Sequence, residues 1–130
     1  MAEIKDRILC PWRRKFVRLT PEEWVRQHFL NRLVHEFGYP AKLIAVEVPL
    51  QGKRADAVIY SKDLKPEVLI EFKAETVPLT QAVLDQAAVY NRQLHVPLLI
   101  LHNGPQTIIA NVTDKEIAFL PEIPTYGHHS

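Results

Sequence analysis

Asp56, Glu71 and Lys73, in the middle of the chain, combine two carboxylates with an ammonium in a way that suits a hydrolytic site. The run V-L-I-E-F-K (68–73) alternates like a strand, so Glu71 and Lys73, two apart, share one face while Ile70 and Phe72 turn to the core. On the preceding strand Asp56 shares a face with Val58 and Tyr60. The connection S-K-D-L-K-P reads as a hairpin, and a centre between Asp63 and Leu64 pairs position i with 127 − i, which sets Asp56 opposite Glu71. Directly opposed residues have Cβ atoms roughly 4.5–5.5 Å apart, and like charges there are unfavourable. Burying both carboxylates adds several kcal/mol unless something compensates. A divalent cation, Mg²⁺ or Mn²⁺, resolves both costs, because two carboxylates, a backbone carbonyl and waters make a hard-oxygen site. Lys73 could then hold or deprotonate a water, or stabilise charge on a phosphate. These are the parts needed for hydrolytic P–O cleavage. The alternative is a solvated polar face with a cross-strand Glu–Lys pair, since D…E-x-K is a short and common pattern.

Other residues can be attached to that site. Glu23 is either a third acid facing the metal from the first helix or the N3 glutamate of a capping box. Glu47 interrupts an apolar strand and either faces the site or lies on an exposed sheet edge. Gln86 and Tyr90, one turn apart on a helix, could hydrogen-bond a phosphate or a metal-bound water; otherwise they are a half-buried tyrosine with a polar neighbour. Residues 1–20 hold six basic side chains (Lys5, Arg7, Arg13, Arg14, Lys15, Arg18) against Glu3 and Asp6, and Lys53-Arg54 forms a second cluster. Such patches set where a polyanion docks. His28, His35, His95 and His102 have no zinc-like spacing. His128 and His129 read as tail, and Cys10 lacks a partner motif. Neither G-x-x-x-x-G-K-[ST] nor G-x-G-x-x-G occurs, so no nucleotide-motor or dinucleotide site is expected.

The elements that must position these residues are legible. Thr20, Pro21 and Glu23 form a helix start, followed by Trp24, Val25, Phe29, Leu30, Leu33, Val34 and Phe37 at helical spacing, with Gly38 and Pro40 as the stop. Strands are expected over 43–50, 53–60 and 68–73, a helix over 79–94 with a Val83, Ala87, Tyr90, Leu94 stripe, a buried strand over 97–101, and weaker strands over 107–112 and 117–120. The order is α-β-β-β-α-β-β, an α/β layered domain. One domain is expected over 1–130, with 1–13 an N-terminal arm, a short extended piece at 15–19, and 121–130 a mobile tail.

Composition bounds the function classes. The chain has 130 residues, 47% hydrophobic and 24% charged, with net charge +1, so disorder is excluded and the whole-chain charge does not announce a nucleic-acid binder. One cysteine excludes an intrachain disulfide framework. No run approaches the roughly 20 apolar residues of a membrane span, and the first residues lack a signal-peptide pattern. A cytoplasmic protein with no membrane partner is expected.

Taken in order, R-K-F-V-R-L-T-P-E-E-W-V-R-Q (14–27), Asp56, E-F-K (71–73), D-Q-A-A-V-Y-N (85–91) and H-N-G (102–104) resemble the N-terminal nuclease domain of type I restriction enzyme R subunits, and more closely the short bacterial proteins containing this domain alone. The resemblance covers about residues 14–112. It implies a restriction-endonuclease-like PD-(D/E)xK core: a mixed, mostly four-stranded sheet flanked by helices. It further implies Mg²⁺ on Asp56 and Glu71, a catalytic Lys73, support and DNA contact from Gln86 and Tyr90, and sometimes an added role for the acid matching Glu23. Ala55 replaces the proline of the motif name. The expected function is a Mg²⁺-dependent DNA endonuclease domain in which Arg13, Arg14, Lys15, Arg18, Lys53 and Arg54 engage phosphates, with restriction-modification subunits or a second copy as partners. The alternative is a non-catalytic DNA- or protein-binding module on the same fold; a structural homodimer domain is a third reading.

Overall fold

The computed structural model describes residues 3–4, 6–113 and 116–127; Lys5, His128 and His129 lie outside them. In chain order its elements are β1 Glu3–Ile4, β2 Arg7–Cys10, β3 Lys15–Arg18, α1 Pro21–Phe37, β4 Ile44–Leu50, β5 Lys53–Tyr60, β6 Pro66–Phe72, α2 Gln81–Leu94, β7 Leu98–His102, β8 Thr107–Val112 and β9 Ile117–Leu120. Local signals account for their ends. Thr20 caps α1 by accepting from the Glu23 amide at 3.1 Å, and Gly38 closes the helix in the left-handed conformation, φ +77°. Thr80 caps α2 in the same way through the Val83 amide.

Strands β4 to β9 form one six-stranded sheet in sequential order, antiparallel except where β6 runs parallel to β7. A parallel neighbour needs a crossover, and α2 is that crossover. Strand β7 is buried along its whole length, as is β6 from Val68 to Phe72, because both faces of the sheet are covered. On one face Phe29, Leu30 and Leu33 of α1 pack with Ala57, Ile59, Val68, Ile70, Phe72 and Ile100. The intervening residues point the other way, where Leu84 and Ala87 of α2 meet Leu101, and Tyr90 and Leu94 meet Val58, Leu69 and Leu99. The helix's buried stripe is Leu84, Ala87 and Asn91, with the expected Val83, Tyr90 and Leu94 at its flank. Asn91 earns its burial by clasping the backbone of Val96 on both sides, at 2.8 and 3.1 Å.

Three expectations are corrected. The sheet has six strands rather than mostly four, since β8 and β9 continue it as an antiparallel meander past β7. Within the segment expected to be an arm over 1–13, Glu3–Ile4 and Arg7–Cys10 instead form a separate antiparallel sheet with β3, in the order β1-β2-β3. There Ile8 and Cys10 alternate inward and are buried, while the Trp12 indole packs on the main core and donates to the Ala41 carbonyl at 3.2 Å. The tail expected to be mobile from 121 is docked as far as it is described. The Tyr126 amide donates to the Phe37 carbonyl (2.9 Å), satisfying one of the open carbonyls at the end of α1, and the Tyr39 hydroxyl donates to the Pro124 carbonyl (2.7 Å).

His102, at the end of β7, is structural. It stacks on Phe29 (ring centroids 4.1 Å) and hydrogen-bonds the Thr107 hydroxyl at 2.8 Å. Burial, with Arg32 nearby, pushes its pKa down to about 4. The unfolded chain therefore binds a proton near pH 6.5 that the folded chain refuses until about pH 4, so His102 favours folding above pH 6.5 and progressively less as pH falls through that window. The loss is expected to reach about 3 kcal/mol at pH 4. A histidine NMR titration placing the His102 midpoint near 6.5 would contradict this.

Candidate active site

The β5–β6 hairpin has the register i ↔ 127 − i over Ala57↔Ile70, Val58↔Leu69 and Ile59↔Val68, shifting by one only at Tyr60↔Pro66. Beyond Ala57↔Ile70 the ladder stops, and the Phe72 amide is taken by the carboxylate of Asp56 instead, Oδ2 accepting at 2.8 Å. Asp56 is thereby held beside Glu71. Glu71 is buried, 5% exposed, and burial followed by the Asp56 charge pushes its pKa up to about 8. The two carboxylates are within reach of sharing a proton. Without one, Glu71 Oε1 has no hydrogen-bond partner at all.

The ammonium closest to this pair is not that of Lys73. Lys53 Nζ lies 3.5 Å from Glu71 Oε2 and 3.9 Å from the centre of the Tyr90 ring. Among the described residues Lys73 makes no ion pair within 4 Å; its half-buried side chain is felt by Glu22, whose pKa is raised by desolvation and by Asp56 and pulled back by Lys73. Glu22 thus feels both Asp56 and Lys73, a link that the sequence reasoning did not give it. The signal available was its place in the first turn of α1, one residue from Glu23.

Glu23 is turned inward. Its Oε1 accepts from Arg13 Nη2 at 2.6 Å and from Arg26 Nη2, and its Oε2 accepts from Gln27 at 2.9 Å. Burial alone would raise its pKa, but the hydrogen bonds from Arg26, Gln27 and Arg13 outweigh that and hold it low. It supplies the backbone half of the capping box, while its carboxylate goes to these three donors. Arg26 also donates to Glu47 Oε1 (2.8 Å) and, at 3.4 Å, to the Asp56 carbonyl. Glu47 is a non-glycine residue in mid-strand with φ +54°. The pairs on either side, Val46↔Ala57 and Val48↔Ala55, are kept, while Glu47 and Asp56 between them are not paired. Strain of this kind costs on the order of 1–3 kcal/mol and persists only where surrounding contacts impose it. Here Arg26 imposes it from α1. A cleft of about 270 Å³ lies over this network, lined by Arg13, Arg18, Glu22, Arg26 and Glu47 among others.

Gln86 is on the exposed side of α2 and makes no hydrogen bond among the described residues, whereas Tyr90 is half-buried beneath Lys53. Arg14, Lys15, Arg18 and Arg54 are exposed; Arg13 is committed to Glu23 and to the Cys10 sulfur (3.2 Å). Among the described residues no three His, Cys, Asp or Glu side chains converge on a metal-sized site; the candidate cation locus is the acid pair Asp56–Glu71, on account of its unpartnered Glu71 oxygen. An orphaned, buried carboxylate oxygen against a second carboxylate is what a divalent oxygen-seeking ion would satisfy, and Mg²⁺ commonly takes only one or two protein carboxylates, completing its shell with water.

Residues 21–124 match the family described as type I restriction enzyme R protein N terminus (HSDR_N). The chain belongs to this family. A solved fragment of an HsdR subunit of a type I restriction enzyme from Vibrio vulnificus YJ016 has a similar fold: TM-score 0.61 and 23% identity, over 80% of this chain and 23% of that one. The chain therefore spans under a quarter of that neighbour's length. No curated protein sequence matches. In this HSDR_N chain the mixed sheet and α2 bring together Asp56, Glu71, Lys53 and Tyr90 at one end of β5 and β6. Family membership also gives the domain a restriction-modification context. No helix among the described residues is long and apolar enough to cross a membrane.

Proposed function

We propose that this HSDR_N domain has a restriction-endonuclease-like PD-(D/E)xK core and is a Mg²⁺-dependent DNA endonuclease that hydrolyses phosphodiester bonds. The observation that carries the reading is the contact between half-buried Asp56 and buried Glu71, with its unpartnered Glu71 oxygen. Asp56 and Glu71 would hold the ion, Mg²⁺ or Mn²⁺. Bound there, it would withdraw charge from a phosphate oxygen and make a water acidic enough to attack at neutral pH. The chain's own residues do the rest. The Phe72 amide fixes the Asp56 carboxylate, and Arg26 anchors the Asp56 backbone from behind. Lys73, whose charge is felt by Glu22, would offer a positive charge to the phosphoryl group as negative charge develops on it. Tyr90 would shape the wall through its contact with Lys53, and Gln86, on the exposed side of the same helix, would touch the DNA strand. Exposed Arg14, Lys15, Arg18 and Arg54 would take backbone phosphates, which makes binding strongly salt-dependent. The partners are DNA and the other subunits of a restriction-modification assembly, and cleaving both strands of a duplex calls for a second copy.

The test is a plasmid assay on the purified chain with Mg²⁺, Mn²⁺ or EDTA. Nicked or linear product is expected with either metal and not with EDTA, and is expected to disappear in Asp56→Ala and Lys73→Ala variants that retain the wild-type circular-dichroism spectrum. Equal nicking by wild type and both variants overturns the assignment. DNA binding with no product under any metal replaces it with the non-catalytic binding module.

A further inference from the structure

Lys53 occupies a place that the reading above does not account for. It begins β5 immediately after the turn at Gln51-Gly52, where Gly52 adopts φ +79°. That turn is fastened to α2: the Gln51 amide donates to Gln93 Oε1 at 2.9 Å. The base of the lysine is therefore fixed relative to Tyr90, one turn back on the same helix. From there the ammonium rests between the Tyr90 ring face and Glu71. Its contact with Glu71 is loose, 3.5 Å against the roughly 2.7–2.9 Å of a tight charge-assisted hydrogen bond, and it serves one oxygen while the other has no partner. The side chain is 27% exposed where Glu71 is 6% exposed, so the lysine lies on the solvent side of the buried acid.

We infer that Lys53 is a resident counter-cation of the acid pair, which a divalent ion must displace from Glu71 and which Tyr90 then retains at the rim. This rests on the reading of Asp56 and Glu71 as a cation site. The physical basis is competition. An ammonium tethered beside a carboxylate and a divalent cation seeking the same carboxylate cannot both hold it at full strength, yet the ion can satisfy both oxygens where the lysine satisfies one. The displaced ammonium does not have to enter bulk water, because the face of Tyr90 offers it a second favourable contact. The lysine stem is flexible enough to make that move without the backbone following.

The experiment is calorimetric titration of the DNA-free chain with Mg²⁺, comparing wild type with Lys53→Met and Lys53→Arg. Loss of the competing charge in K53M is expected to tighten Mg²⁺ binding about five- to tenfold, equivalent to about 1–1.4 kcal/mol, whereas K53R stays near wild type. A second measurement uses the unaltered chain. A brief acylation pulse read by mass spectrometry is expected to label Lys53 more heavily when Ca²⁺ is present than when it is absent, with exposed Lys42 and Lys62 as unchanged references. If wild type binds Mg²⁺ but K53M binds it no more tightly, and Ca²⁺ leaves Lys53 labelling unchanged, the displacement is wrong while the cation site stands. If neither wild type nor K53M binds Mg²⁺, the cation site itself is wrong and the inference goes with it.

Discussion

Exchange of Glu71 for glutamine is expected to stabilise the metal-free domain at alkaline pH by a few kcal/mol while abolishing Mg²⁺-dependent cleavage. Burial and the neighbouring Asp56 charge raise Glu71 to about 8 in the folded chain, against an ordinary value of 4.5. Below pH 4.5 the group is protonated in both states and costs nothing. Between 4.5 and 8 the unfolded chain releases a proton that the folded chain keeps, so stability falls as pH rises, and above 8 the full penalty applies. Each unit corresponds to about 1.4 kcal/mol. Glutamine keeps the shape, cannot ionise, and can donate toward Asp56, so the penalty vanishes. The same change removes one of two carboxylates from the proposed cation site. Urea midpoints of wild type and Glu71→Gln, measured from pH 5 to 9 in EDTA, should diverge upward with pH, opposite in sign to the His102 effect at acid pH. Parallel curves would mean that Glu71 is not held protonated by its surroundings. The conflict is a familiar one: a group placed for chemistry is poorly placed for stability.

The second large effect concerns the arginine behind the site. Arg26→Met is expected to lose about 3–5 kcal/mol of stability, the range for removing one partner of a buried ion pair. Burial works against the charge on Arg26, but hydrogen bonds to Glu23 and Glu47 outweigh it and keep the guanidinium firmly protonated. Without it, Glu23, 6% exposed, keeps Arg13 and Gln27 but loses its most buried cation, and Glu47 loses the contact that holds it at positive φ. A double variant, Glu23→Gln with Arg26→Met, should recover part of the loss because no charge is then left stranded. A single variant within about 1 kcal/mol of wild type would show that the network is not sustaining β4 and β5. The Asp56 carbonyl contact ties this stability effect to the site: the residue proposed to hold the ion is positioned by the same arginine.

Much of this architecture was legible along the chain because it depends on neighbours. A threonine, a proline and a later glycine delimit α1, and the alternation of β5 and β6 gives the register from Ile59↔Val68 to Ala57↔Ile70, which ends one step short of Asp56 and Glu71. Those are rules of period and turn geometry, and they act within a few residues. Other features came only with tertiary structure. Lys53 rather than Lys73 sits on Glu71 because the β4–β5 turn is fastened to α2, some forty residues later. Glu23 points inward because Arg13 arrives from the small sheet and Arg26 lies one turn along α1, which leaves Glu22 with Asp56 and Lys73. The break in the ladder at Glu47 and Asp56 has no signature in the alternation of either strand, since a buried guanidinium imposes it from a different layer. Hydrogen-bonded periodicity is written locally, whereas the partner of a charged side chain is decided by whichever element folds over it.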